Sequence, residues 1–425
     1  MVWALVGCTT LSRSTEGKGE GEPVFAIRHV RVFDGQRVIP EGTVVVRGGK
    51  IAAVGAGLAP PEGAEVIDGR GQTLLPGLID AHFHAYAPDA YRQALVFGVT
   101  TGVEMFAHLS GDAAGPLRTQ RGPDEADSYP GVLITAPGGH GTEFPGITPL
   151  LASTPQECVA AVERAVAAGS RFIKLVYDSG ETIALQPVPT LAREVFARCV
   201  QAAHAQGKIA VVHATTLRES REAVEAGVDG LVHGLTDAMP DEALVRKMAE
   251  RRVLVVPTLT VTDSAAQKGQ AERLLADARV APFLTPSGLM MEQLGFPEGL
   301  GARLRPDVTR RYTRVLEDAG VPVLAGSDCG NPGVAAGVGL HVELELLVEA
   351  GLTPVQALAA ATSRPAQAFH LEDRGQIAPG RRADLLLVRG DPTTDIHHTL
   401  DILAVWKEGH RLDRDAFRAR LQEPR

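Results

Sequence analysis

Two histidines spaced i, i+2 close the apolar run Gly77-Leu78-Ile79-Asp80-Ala81-His82-Phe83-His84, and no residues of the chain are better placed to do chemistry. On a β-strand alternate side chains share a face, so His82 and His84 project together. Two imidazoles side by side at the C-terminal end of a strand suit one divalent transition metal. Leu75-Pro76-Gly77 supplies a turn from which such a strand starts abruptly. Taken alone, the pair has a lesser alternative, two histidines satisfied by ordinary hydrogen bonds. The residues further along favour the metal.

Four later apolar runs end in, or enclose, a residue able to complete such a centre: Phe172-Ile173-Lys174-Leu175-Val176, Ile209-Ala210-Val211-Val212-His213, Gly230-Leu231-Val232-His233 and Leu324-Ala325-Gly326-Ser327-Asp328. Each has a plainer reading by itself. A lysine among apolar residues can pair with a carboxylate, a strand-end histidine can be a hydrogen-bonded core residue, and an aspartate can cap the next helix. Together they read as ligands. A buried lysine is costly when charged, so its pKa falls and the neutral amine becomes available. Such an amine can take up carbon dioxide as a carbamate, an anionic ligand able to bridge two cations. A carboxylate at Asp328 can ligate a metal and accept a proton from water.

Positioning these groups requires strands that end on one side. Apolar strands are read at 78–84, 98–105, 132–137, 172–177, 209–214, 230–235, 254–259 and 322–327, alternating with amphipathic helices such as 155–168, 188–206, 217–226 and 241–251. This alternation indicates an α/β chain folded as a (β/α)8 TIM barrel, whose chemistry sits at the strands' C-terminal ends. Short strands before it, over 25–68, and three β segments after it, at 375–380, 383–388 and 402–407, are expected to form one composite β-sandwich domain built from both chain ends. The resulting division is a leader or tether over 1–23, the β-domain over 24–75 and 371–415, and the barrel over 76–370. A helical pattern is expected over 354–369. The stretch 263–305 has a helix–loop pattern suited either to a lid over the barrel mouth or to a plain surface insertion.

The chain has 425 residues and a net charge of −9. No basic stripe is present, which disfavours a nucleic-acid partner, and no apolar run reaches the ~20 residues of a membrane span. Cys8, Cys158, Cys199 and Cys329 show no Cys-x-x-Cys pairing, so a disulfide framework is not expected. Cys158 and Cys199 read as buried apolar residues in helices, and Cys329 as a small packing residue beside Asp328. Leu5-Val6-Gly7-Cys8 resembles the lipobox of bacterial lipoproteins, with a polar tether after it, although only seven residues precede Cys8. Two locations follow: a cell-envelope lipoprotein lipidated on Cys8 if translation starts upstream, and otherwise the cytoplasm.

The whole pattern resembles the amidohydrolase superfamily of metal-dependent hydrolases: His-x-His on strand one, lysine on four, histidines on five and six, aspartate on eight. His82, His84, Lys174, His213, His233 and Asp328 match it in order, and the resemblance extends over about 24–411. Within the superfamily, Gly326-Ser327-Asp328 through Asn331-Pro332-Gly333 and then Leu340-His341-Val342-Glu343 resembles the imidazolonepropionase-like and Xaa-Pro/Xaa-Arg dipeptidase branch. The resemblance implies two divalent ions, zinc by preference. His82, His84 and Asp328 would hold one, His213 and His233 the other, and carboxylated Lys174 would bridge them. It further implies Asp328 as proton shuttle and a small-molecule amide or short peptide as substrate, in a possible homo-oligomer. Gly138-Gly139-His140-Gly141 resembles a substrate-facing loop of the branch, assigning His140 to substrate or transition-state contact against a solvent position. Tyr177 and His341 are further substrate-contact candidates, against packing and a helix surface respectively. One departure stands out: Thr100-Thr101-Gly102-Val103-Glu104 carries Glu104 where relatives commonly have an Arg-Asp pair. Two competing readings remain, a mononuclear cyclic-amide hydrolase or deaminase with unmodified Lys174, and a non-catalytic barrel. Metal content separates the first pair, and the intact ligand set speaks against the last.

Overall fold

The computed structural model describes residues 24–107, 109, 117–144, 147–184, 186–266 and 269–423, the side chains of 301 and 302 excepted. The leader over 1–23, and Cys8 with it, lies outside the described residues. Seven strands, Leu78–Phe83, Val99–Glu104, Asp127–Thr135, Phe172–Val176, Ala210–His213, Gly230–Val232 and Leu254–Val256, run parallel in that order. The eighth run closes the barrel by touching both edges. On one side Val323 bridges Val255; on the other, Ala81 N donates to Ala325 O at 2.9 Å and Asp328 N to His82 O at 2.8 Å. Gly326 permits that closure, because a Cβ there would lie 2.7 Å from the backbone nitrogen of His82.

Two helices differ from the sequence reading. The helix expected to begin at 188 begins at Arg193. The expected helix over 354–369 is two, Pro354–Ala360 and Ser363–Ala368. Pro365 explains the break: with no N–H and a ring that clashes with the preceding turn, it fits only the first turn of a new helix.

The chain ends build one continuous, mostly antiparallel sheet. Its order is His410–Arg411, Ile402–Lys407, Leu385–Arg389, Gln72–Pro76, Val24–Phe33, Val38–Arg47, Lys50–Gly55, with Glu65–Asp68 beside Val24–Phe33. The sheet curls until Lys50 bridges Arg382, enclosing a core in which Phe25 stacks on Trp406 at 5.6 Å. The segment 375–380, read as a strand, is instead a connection pinned by Ile377 N to Asp34 O at 3.0 Å. A buried ion cluster fastens this sheet to the barrel. Asp127, at the start of the third barrel strand, meets Lys407 Nζ at 2.6 Å, Arg382 at 2.8 Å and Arg374 at 3.0 Å. Burial alone would raise the Asp127 carboxyl, but Arg382 and Lys407 outweigh it and hold it low. Removing one partner would strand a buried charge, a loss of about 3–5 kcal/mol.

The cysteine expectation needs correcting. Cys158 and Cys199 are buried as expected, but they are bonded to each other, with Cα atoms 5.4 Å apart, joining helix Pro155–Ala167 to helix Arg193–Ala205. Lack of local Cys-x-x-Cys spacing says nothing about two helices that pack side by side in the outer ring. The sequence separation is 41; on a chain-entropy basis closing such a loop stabilises by about 4 kcal/mol. We therefore expect reductant to lower the urea midpoint of the wild type and to leave a Cys158→Ser/Cys199→Ser double variant unmoved. An unchanged wild-type midpoint would show that the two thiols are not joined. Cys329 is free and buried.

Candidate metal centre

The C-terminal ends of the barrel strands bring all six predicted ligands to one place, at the floor of one cavity. Nε2 of His82 lies 3.2 Å from Nε2 of His84, and Asp328 Oδ1 lies 3.3 Å and 3.1 Å from these two atoms. His233 follows, its ring 4.9 Å from that of His82 and 4.3 Å from that of His213. His82, His233 and Asp328 each offer a donor atom within 4.8 Å of the others. Lys174 is buried and lines the same cavity, with Asp328 as its charged neighbour.

The backbone is bent to achieve this. His233, Thr258 and Asp328 adopt positive φ of 71°, 48° and 57°, a conformation that costs a non-glycine residue on the order of 1–3 kcal/mol. Such strain persists where surrounding bonds over-determine it. Here His233 N donates to Val256 O at 3.0 Å, and Asp328 N is held by His82 O.

Three of the four imidazoles, those of His233, His213 and His84, also have an outer polar neighbour. Thr258 Oγ1 sits 2.8 Å from His233 Nδ1. Asp178 Oδ2 sits 3.4 Å from His213 Nε2, and the Asp178 carboxylate accepts from Thr215 N, Thr215 Oγ1 and Gly180 N at 2.9, 2.6 and 2.7 Å. Glu104 Oε1 is 3.5 Å from His84 Nδ1, while its Oε2 accepts from Ala85 N at 2.8 Å. The unusual acid of strand two thus backs a ligand. Asp80 clamps first strand to eighth: it accepts from His82 N at 3.1 Å, Ser327 N at 2.9 Å and Ser327 Oγ at 2.5 Å.

The electrostatics fit a cation. Burial and neighbouring positive groups hold His82 and His233 well below the usual histidine range, which leaves them as neutral ligands. His213 falls to about 4 by burial, Asp178 opposing. Burial would also lower His84, but Asp328 and Glu104 outweigh it and raise it to about 9. Burial takes the Lys174 amine down to about 7, with Asp328 pushing back. His82 Nδ1 is buried without a hydrogen-bond partner among the described residues. Converging imidazoles, a carboxylate and an amine near neutrality form a nitrogen–oxygen donor set suited to zinc.

Of the three substrate-contact candidates, one faces the cavity. His140 lines it, its ring 4.6 Å from that of His213, and Glu143 Oε1 holds its Nδ1 at 2.6 Å. Tyr177 does not reach it. With Lys174 pointing inward, strand alternation turns residue 177 outward, and Tyr177 stacks on Phe196 at 4.3 Å and bonds the Glu222 carboxylate. His341 is likewise structural: it is buried in helix Val338–Glu349, with Nε2 donating to Phe97 O at 2.8 Å and Nδ1 3.0 Å from Thr399 Oγ1. Sequence reasoning missed Asp80, Asp178, Thr258 and Glu143. Parity could have found the first two, since Asp80 alternates with His82 and His84, and Asp178 with Lys174. We expect Asp178→Asn to weaken metal binding by about 10–100-fold in a competitive chelator titration. Affinity equal to wild type would remove Asp178 from the support of His213.

The profile of the amidohydrolase family matches residues 73–412. The imidazolonepropionase of Deinococcus deserti is 26% identical over 401 residues, 88% of this chain and 92% of that protein. That of Deinococcus radiodurans is 26% identical over 384 residues, 85% of this chain and 89% of that protein. Among solved structures, a Xaa-Pro dipeptidase with bound methionine in the active site superposes with a TM-score of 0.72 at 23% identity, covering 92% of this chain and 99% of that one, a likeness of fold. This chain belongs to the amidohydrolase family, metal-dependent hydrolases acting on carbon–nitrogen bonds.

Proposed function

We propose that the protein is a binuclear zinc hydrolase that cleaves an amide or peptide-like bond of a small molecule, with Lys174 carboxylated. The observation that supports this most is Lys174 itself: a buried amine whose pKa burial lowers to about 7, lining the same cavity as Asp328 and four histidines, with no ion pair among the described residues. His82, His84 and Asp328 would hold one ion and His213 and His233 the other. Carbon dioxide would add to the neutral Lys174 amine with loss of a proton, and the resulting carbamate would supply an anionic oxygen ligand to the ions. Bound divalent ions make a water acidic enough to ionise near neutral pH and polarise a carbonyl. Asp328 accepts the proton of the attacking water and returns it to the departing nitrogen. With Nδ1–H donating to Glu143, His140 has its Nε2 left as an acceptor for a substrate N–H or a water in the cavity it lines. The test is a screen of metal-reconstituted protein against N-acyl amino acids, dipeptides, capped amides and cyclic amides. Zinc-dependent amide cleavage is expected; inactivity on every class would count against the reading.

One observation favours a second reading. His82, His233 and Asp328 alone form a compact donor group, and the curated relatives are imidazolonepropionases. A mononuclear cyclic-amide hydrolase with free Lys174 would bind one ion per chain.

For location, we propose a lipid anchor on Cys8 in the cell envelope. The lipobox-like run supports it, and so does the Cys158–Cys199 disulfide, a bond that persists in oxidising compartments. No helix among the described residues is long and apolar enough to cross a membrane. Mass spectrometry of the mature N-terminus decides: a diacylglyceryl Cys8 is expected, and an unmodified Met1 would refute the anchor.

A further inference from the structure

The cavity above the metal ligands has a volume of about 440 Å³ and is walled mainly by carbon. An aromatic shelf begins at the centre itself: Tyr86 stacks on the His84 ring at 5.0 Å, Phe144 on Tyr86 at 5.8 Å, and Phe106 meets Phe144 edge-on at 6.3 Å. Val188 faces this wall, and Phe296 and Leu300 from the 263–305 insertion complete it.

Charge is distributed just as unevenly. Among the described residues lining the cavity, Lys174 is the sole lysine or arginine, and the one acid besides Asp328 is Glu143, half exposed and bonded to His140. Of the arginines nearby, Arg310 and Arg121 are paired with carboxylates and Arg303 is held by backbone carbonyls at the rim. Arg303 donates to the carbonyls of Glu181 and Ala184 at 3.2 and 3.4 Å, Arg310 to Asp263 at 2.6 Å, and Arg121 to Glu125 at 3.2 Å. The lining hydroxyls are also committed: Thr215 to Asp178 at 2.6 Å, Thr236 to Thr215 O at 3.2 Å, Thr262 to Thr258 O at 3.2 Å. A carboxylate entering here would lose its hydration, find no lysine or arginine among the described residues of the walls above the metal ligands, and pass Glu143. An apolar or aromatic group would replace water on carbon surface and stack on the shelf.

Resting on the hydrolase reading above, we propose that the substrate is an uncharged amide, with an aromatic or bulky apolar group beside the scissile bond and no free carboxylate. This sets the protein apart from hydrolysis of dipeptides, which carry a terminal carboxylate.

The test is a matched pair, N-(phenylacetyl)glycine and its N-methylamide, which differ only in the terminal group, a carboxylate against an N-methylcarboxamide, with cleavage of the shared bond read as release of phenylacetate. With zinc-reconstituted wild type we expect kcat/KM for the neutral amide to exceed that for the acid by at least about 100-fold, the cost of burying an unpaired carboxylate being large. Equal rates, or faster cleavage of the acid, would overturn the proposal and leave the hydrolase reading standing. If neither compound is cleaved, the hydrolase reading loses support on this pair, and calorimetric binding of the same two compounds still decides the proposal. Tighter binding of the amide supports it; equal or tighter binding of the acid, or no binding of either at millimolar concentration, overturns it.

Discussion

Asp328→Asn should lower kcat/KM by about 10³-fold or more while leaving the fold and most of the bound metal in place. The size follows from the role: a positioned proton acceptor contributes about 10²–10⁴-fold. The specificity of the effect follows from the geometry. Asp328 holds a positive φ of 57°, a region in which asparagine is at least as comfortable as aspartate. Its backbone bond to His82 O is untouched by the change. An amide oxygen can still lie against His82 and His84, but it cannot take a proton from water. Melting temperature and metal content measured beside the kinetics separate loss of the base from loss of the site. Turnover near wild type in a folded, metal-loaded variant would move the base elsewhere, with His140 next in reach.

Lys174→Ala should be equally severe for a different reason. Without the amine no carbamate forms, the second ion loses its bridging ligand, and activity should fall by about 10³-fold or more with metal content dropping toward one per chain. The fold should survive, since the buried amine makes no ion pair among the described residues and its charge is disfavoured there. Acetate or propionate at high concentration should restore part of the activity by placing a carboxylate where the carbamate stood. A variant that keeps full activity without rescue would favour the mononuclear reading.

The barrel and the six residues gathered at its strand ends were legible because both depend on local pattern. Apolar runs ending in His, Lys or Asp fix which residues sit at the strand ends, and alternation fixes which of them face inward. His82, His84, Lys174, His213, His233 and Asp328 needed no more than that. The errors arose where contacts are long-range. His341 and Tyr177 were weighed from their types and neighbours in sequence, yet their partners, Phe97, Thr399, Phe196 and Glu222, are set by packing across the barrel wall. The Cys158–Cys199 bond and the Asp127–Arg382–Lys407 cluster join segments whose proximity no periodicity announces. Asp178 was an inexpensive miss: the parity that recommended Lys174 recommends it too.

The central claim is that six residues from five strands hold two ions. Its most direct test is elemental analysis by inductively coupled plasma mass spectrometry. Protein reconstituted with zinc and bicarbonate, then freed of loose metal by gel filtration, would be compared with the activity of the same sample. We expect activity to rise with zinc content until about two ions are bound per chain, the number a bridged centre requires. Full activity at one zinc per chain, with no gain from a second, would contradict the binuclear account.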